Sequence, residues 1–217
     1  MSYCINLTEA DWSLTKDLFS IISTFVSAAA VAVAFYFGRE GLNTWRRQLR
    51  GTADHELARR LLIELHHYKD AIHAARDIAF LSEEFAPDES DQDVGGESFE
   101  EQRYRNMSRA YRRRFRVIHS CSAPMRASLL EADLMWSEQT SEDFKSVLDL
   151  ERELWIAVRR YLESINPSNP PDVRQRYYAR WAADKKIVQD LYDGDEYRNM
   201  LEDKVKQVES VVKRKLL

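Results

Sequence analysis

The chain has 217 residues, 44% of them apolar and 31% charged, with a formal net charge of −4. That length suits one ordinary domain, or a small domain with an appendage. Six Gly, five Pro and two Cys exclude a collagen-like chain, a turn-dense all-β fold, a disulfide scaffold and a cysteine-based zinc ribbon. The negative balance excludes a global basic field that would recruit nucleic acid.

Residues 1–17 carry Glu9, Asp11 and Asp17 against Lys16 alone. The stretch is too acidic for the basic start of a signal peptide. Leu18 to Gly38 follows as 21 uncharged residues. A helix of about 20 residues crosses a hydrocarbon core of roughly 30 Å, so residues 18–38 are expected to span a membrane. Trp12 and Phe19 near one end, and Phe35, Tyr36 and Trp45 near the other, suit the two interfaces. A long core helix of a soluble protein is the alternative. Arg39, Arg46, Arg47 and Arg50 stand against Glu40 in the juxtamembrane segment 39–52, which Gly41 and Gly51 are expected to interrupt. The excess of positive charge puts that side in the cytoplasm and the N-terminus outside. Cys4 and Cys121 then lie on opposite sides, where no disulfide joins them. Ser20, Ser23, Ser27, Ala30 and Ala34 advance by three or four and form one small-residue stripe. Small residues let helices approach closely in lipid, so the stripe is a candidate for self-association, or for lining a narrow pore. A plain anchor of small composition reads the same way.

Residues 53–217 are expected to be cytosolic and all-α. Ala58, Leu61, Leu65, Tyr68, Ile72, Ala75 and Ala79 predict an amphipathic helix from Ala53 to Leu81. Residues 86–102 break the pattern with Pro87, Gly95, Gly96 and seven acidic residues, the composition of an exposed loop. Asp91-Gln-Asp93 begins a calcium-loop pattern, but Gly95 replaces the next ligand. Arg103 to Ser120 holds seven Arg and no acidic residue, with Tyr104, Met107, Tyr111, Phe115 and Ile118 on the buried face. Pro124 is expected to kink or break this helix. Ser141 is the candidate cap for the next helix, which carries Phe144, Val147, Leu154, Trp155 and Val158 and stops at Asn166–Pro171. Further helices are read over Asp172–Tyr192 and from Tyr197 to Leu216. The expected architecture is one transmembrane helix and an antiparallel bundle of about five helices.

Three constellations carry chemistry. Arg114 and His119 enclose four residues, and Arg-x4-His in a helical domain resembles the motif of HEPN ribonucleases. There, His and Arg from two subunits surround the scissile phosphate; His moves protons near neutral pH and Arg holds phosphate charge. Phe115 departs from the polar residue that often follows the Arg, and Arg50 with His55 repeats the spacing. Arg105, Arg109, Arg112 and Arg116, with His119, share one helical face that suits RNA, a nucleotide messenger or anionic lipid. Pairing with the acidic loop is the competing use. His66, Asp70, His73 and Asp77 form a row with metal-ligand chemistry, but a di-iron bundle needs a second Glu-x-x-His that is missing. No metal and no cofactor are expected, and Cys121 reads as a packing residue.

Trp45-Arg-Arg-Gln-Leu-Arg-Gly51 before Glu56-Leu-Ala-Arg-Arg-Leu-Leu62, and Leu129-Leu-Glu-Ala-Asp-Leu-Met-Trp136 before Tyr161-Leu and Asn166-Pro, resemble uncharacterised bacterial proteins with one N-terminal membrane span and a helical cytosolic region. The layout with Arg-x4-His is also similar to the membrane-anchored HEPN-like accessory proteins of RNA-targeting CRISPR systems. The first likeness implies architecture and no activity. By analogy of layout, the expected function is a membrane-anchored oligomeric sensor or effector in the bacterial inner membrane, perturbing the bilayer in phage defence or stress. A tethered ribonuclease using Arg114 and His119 is the alternative, and a passive anchor or scaffold the third. The expected partners are the lipid bilayer, further copies of the chain, and an anionic ligand at the Arg-rich helix.

Overall fold

A computed structural model describes residues 9–87, 96, 98–136, 139–190 and 194–216. It is all-helical, with no strand among the described residues. The helices are α1 (Glu9–Arg76), α2 (Phe99–Met135), α3 (Gln139–Ile165), α4 (Pro171–Val188) and α5 (Glu196–Lys213), with a short 3-10 turn at Ser82–Phe85. The chain divides into two compact units, residues 1–53 and 54–217.

In the first unit, one helix is long and apolar enough to cross a membrane. Its most apolar 18-residue window has a mean hydropathy of 2.2, and none of it is buried. Phe25 and Phe35 are 72% and 73% exposed. The hydroxyls there bond within their own helix: Ser23 Oγ and Thr24 Oγ1 each donate to the Ser20 carbonyl at 2.9 Å, as Ser and Thr do in helices. The juxtamembrane segment is not interrupted at Gly41 and Gly51. Helix α1 runs through both and through Gly38. Each helical Gly costs about 1 kcal/mol against Ala, a small sum beside the cooperative ladder of a 68-residue helix.

The second unit packs around one apolar cluster. Helix α1 supplies Leu57, Leu61, Leu65, Tyr68 and Ile72; α2 supplies Tyr111, Phe115, Ile118, Met125 and Leu129. Helix α3 adds Phe144, Val147, Leu150, Leu154 and Val158, and α5 adds Tyr197, Leu201, Val205, Val208 and Val212. These positions recur at three and four residues, the spacing that keeps one helical face inward. Helix α4 packs chiefly on α3 and buries only Val188 fully.

Several helix limits differ from the sequence reading. Helix α1 ends at Arg76, not Leu81, because Arg114 and the Asp190 N–H take up the carbonyls at its end. Helix α2 starts at Phe99, inside the stretch read as loop. Ser98 caps it: its Oγ accepts from the Glu101 N–H at 3.3 Å, and its own N–H donates to Glu101 Oε2 at 2.8 Å, a capping box. Helix α2 also continues through Pro124. Pro124 and Ser120 are both exposed, so the carbonyl that loses its helical donor faces water. Finally, Ser141 lies inside α3, which begins at Gln139. The Ser141 N–H donates to Asp133 Oδ1 at 3.1 Å, so Asp133 acts as the cap. The expected fourth helix ends at Val188, short of Tyr192. Most of the acidic loop, including Asp91, Asp93 and Gly95, lies outside the described residues, as do Cys4 and Tyr192.

Candidate functional site

Two arginines are buried as helix caps. The last carbonyls of a helix have no intrahelical donor. Arg114, 8% exposed, supplies donors to the end of α1. Its Nη1 donates to the Asp77 carbonyl at 2.6 Å and the Ala75 carbonyl at 3.3 Å, and its Nη2 to the Ala79 carbonyl at 2.5 Å. Glu84 balances the charge, with Oε1 2.6 Å from Nε, and the guanidinium lies 3.9 Å from the Phe80 ring centroid. Burial pushes the Glu84 carboxyl up, but hydrogen bonds from Arg114 and the Leu81 N–H outweigh it and hold the group below its ordinary value.

Arg76 does the same for α4. It is fully buried, and its Nε and Nη2 donate to the Ile187 and Lys186 carbonyls at 2.6 and 2.9 Å. Asp195 receives Nη2 at 2.8 Å. In return the Asp190 N–H donates to the Arg76 carbonyl at 3.0 Å, closing α1. Burial lowers the His73 pKa, helped by Arg198. Asp190, 3.8 Å from Nδ1, opposes the shift without reversing it.

A third buried charge sits between α1, α2 and α3. The Tyr68 hydroxyl donates to Glu151 Oε2 at 2.5 Å. Burial, then the Glu151 charge, drives the Tyr68 phenol far above its ordinary pKa. Arg126 Nη2 lies 3.6 Å from Oε2, and His119 Nδ1 lies 3.6 Å from Oε1. The His119 side chain is 68% exposed, so its ring lies mostly in water beside Glu151.

The expected catalytic pair is therefore not brought to one place. Arg114 is spent on carbonyls and Glu84, while His119 leans on Glu151; they share no partner. The expected anion-binding face is also split. Arg109 is buried and Arg105 half-buried, whereas Arg112 and Arg116 are exposed.

What the structure adds is the α2–α3 rim. The Phe115 and Trp155 rings meet edge to face at 4.8 Å, Tyr111 meets Tyr161 at 6.0 Å, and His119 meets Glu151. Along the exposed flank of that seam, α2 presents Arg112, Arg116, His119 and Arg126. Helix α3 presents Arg152, Trp155 and Arg159, all exposed. Arg116, Arg152 and Arg159 have no ion-pair partner among the described residues. The sequence carried a sign of this rim, since Arg152, Trp155 and Arg159 advance by three and four. Glu151 and Arg126 gave none, because their roles depend on which helices meet.

The remaining candidates separate. His66 Nε2 pairs with Glu209 Oε1 at 3.0 Å, and His73 faces Asp190, so the row on α1 is divided between two neighbours. Among the described residues, no group of three His, Cys, Asp or Glu is placed to hold a metal ion. Ser20, Ser23, Ser27, Ala30 and Ala34 are all exposed in the first unit. Cys121 is half-buried against the core. A groove of about 410 Å3 is lined by Ala71, Ala74, Ala79, Leu81 and Val117 together with Asp77, Glu84, Arg113 and Arg114. No known family, curated protein or solved structure matches the chain.

Proposed function

We propose that the chain is a membrane-anchored sensor or effector of a bacterial inner membrane. Residues 18–38 cross the bilayer with the N-terminus outside, and residues 53–217 form an antiparallel helical bundle in the cytoplasm. The falling register of 111 with 161, 115 with 155 and 119 with 151 supports that orientation for α2 and α3. The bundle binds an anionic ligand on the α2–α3 rim. Copies associate through Ser20, Ser23, Ser27, Ala30 and Ala34, and ligand binding changes how that assembly disturbs the membrane. Phage defence or a stress response is the setting that the resemblance to membrane-anchored accessory proteins suggests.

The observation that carries this reading is the apolar window of α1, which is long enough to span a bilayer and has none of its residues buried. The test is membrane depolarisation in cells producing the protein, read with a voltage-sensitive dye. The wild type is expected to depolarise the cells. Ser20→Leu/Ser23→Leu/Ser27→Leu is expected to reach the membrane fraction and leave the potential intact. Unchanged depolarisation by that variant removes the assembly role of the stripe. Protein found only in the soluble fraction removes the anchor.

One observation favours a second reading, a membrane-tethered ribonuclease using Arg114 and His119: the mostly exposed His119 imidazole stands beside a carboxylate, with Nδ1 3.6 Å from Glu151 Oε1. Cellular RNA cleaved by the wild type and spared by His119→Ala supports it, and RNA intact in both dismisses it.

A further inference from the structure

The α2–α3 rim carries more than charge. Trp155 is 46% exposed at its centre, and Phe115 braces it edge to face. A large aromatic ring held in place and half in water presents a stacking surface at low entropic cost. One turn to either side on the same flank stand Arg152 and Arg159, with Arg116 across the seam on α2. Like charges gathered on one flank repel each other, and an anion bound among them removes that penalty. Guanidinium forks match phosphate oxygens in pairs. Nε2 of His119 adds one more group at the end where Glu151 stands.

We propose, on the anionic-ligand reading above, that this rim binds a small nucleotide, its phosphates on Arg116, Arg152 and Arg159 and one base stacked on Trp155. Size separates this ligand from a nucleic-acid strand. Arg152 to Arg159 is seven residues, about 10 Å of helix. Single-strand grooves hold roughly 4–16 nucleotides. The rim therefore suits one or two nucleotide units. Stacking is worth about 1–3 kcal/mol per base, roughly a 5- to 150-fold effect on affinity.

The experiment measures binding to the full chain in detergent micelles by calorimetry. The probes are a 5′-phosphorylated diadenylate and inorganic tripolyphosphate, which has charge without a base. The diadenylate is expected to bind at least tenfold tighter. Trp155→Leu is expected to abolish that margin while leaving tripolyphosphate unchanged, and Trp155→Phe to keep it within threefold. Arg116→Gln/Arg152→Gln/Arg159→Gln is expected to lose both probes. Equal binding of the two probes by the wild type, or no effect of Trp155→Leu on the diadenylate, overturns the nucleotide and leaves an anion site. Unaltered binding by the triple Arg variant overturns the rim itself. Trp155 is a surface residue, and Trp155→Phe controls for folding.

Discussion

Arg114 shows how a residue that looks catalytic in sequence is used structurally. Three carbonyls, Glu84 and the Phe80 ring surround it. Arg114→Gln takes donors from backbone carbonyls and the charge partner from the half-buried Glu84 carboxylate, and such a loss costs about 1–3 kcal/mol. Denaturant unfolding of the detergent-solubilised chain checks this. His119→Ala, by contrast, is expected to change stability little, because its side chain is mostly in water. The same contact sets a pH dependence. The folded Glu84 carboxyl is held below its unfolded value, so the unfolded state binds more protons in that interval. The pairing contributes fully above the unfolded value, near 4.3, and is lost as pH falls through the folded one. The stability gap between wild type and Arg114→Gln is expected to narrow as pH falls through that interval, leaving the share owed to the carbonyl bonds. Parallel curves would contradict the assignment.

At the scale of elements, the core faces were legible and the ends were not. Leu61, Leu65, Phe144, Leu154, Leu201 and Val205 are all buried, as three-four periodicity requires. Helix ends depended on partners distant in sequence. Ala79 reads as helical, yet α1 stops at Arg76 because Arg114 and the Asp190 N–H meet its last carbonyls. Pro124 and Gly41 read as breaks, yet Pro124 faces solvent and Gly41 sits in a continuous ladder. The α2–α3 rim was hidden for a related reason: it needs α2 and α3 side by side, which neither sequence segment states. At Gly51, a methyl group added to the Cα would meet no atom within 4 Å. Gly51→Ala is therefore expected to stabilise α1 by about 0.5–1 kcal/mol, visible as a higher melting temperature. A loss of stability would mean that another chain occupies that space.

At the scale of the molecule, every residue of the core cluster lies at or beyond Leu57. Residues 54–217, which keep the Asp54–Trp136 hydrogen bond of 2.9 Å, are therefore expected to fold alone and unfold cooperatively. Aggregation or non-cooperative melting of that fragment would show that the first unit supplies part of its stability.

The capping bonds of Arg76 have a consequence for biosynthesis. Its carboxylate partner, Asp195, is 119 residues downstream. At about 5–20 residues per second, a ribosome needs roughly 6–24 seconds to deliver it after Arg76 is made. The apolar helix leaves the ribosome long before the second unit closes. On the membrane-anchored reading proposed above, targeting to the bilayer competes with no folded domain, and the core completes only once the chain is nearly finished. Nascent chains halted before Asp195 are expected to be digested by protease throughout residues 54–190, and chains extended past Val212 to resist it.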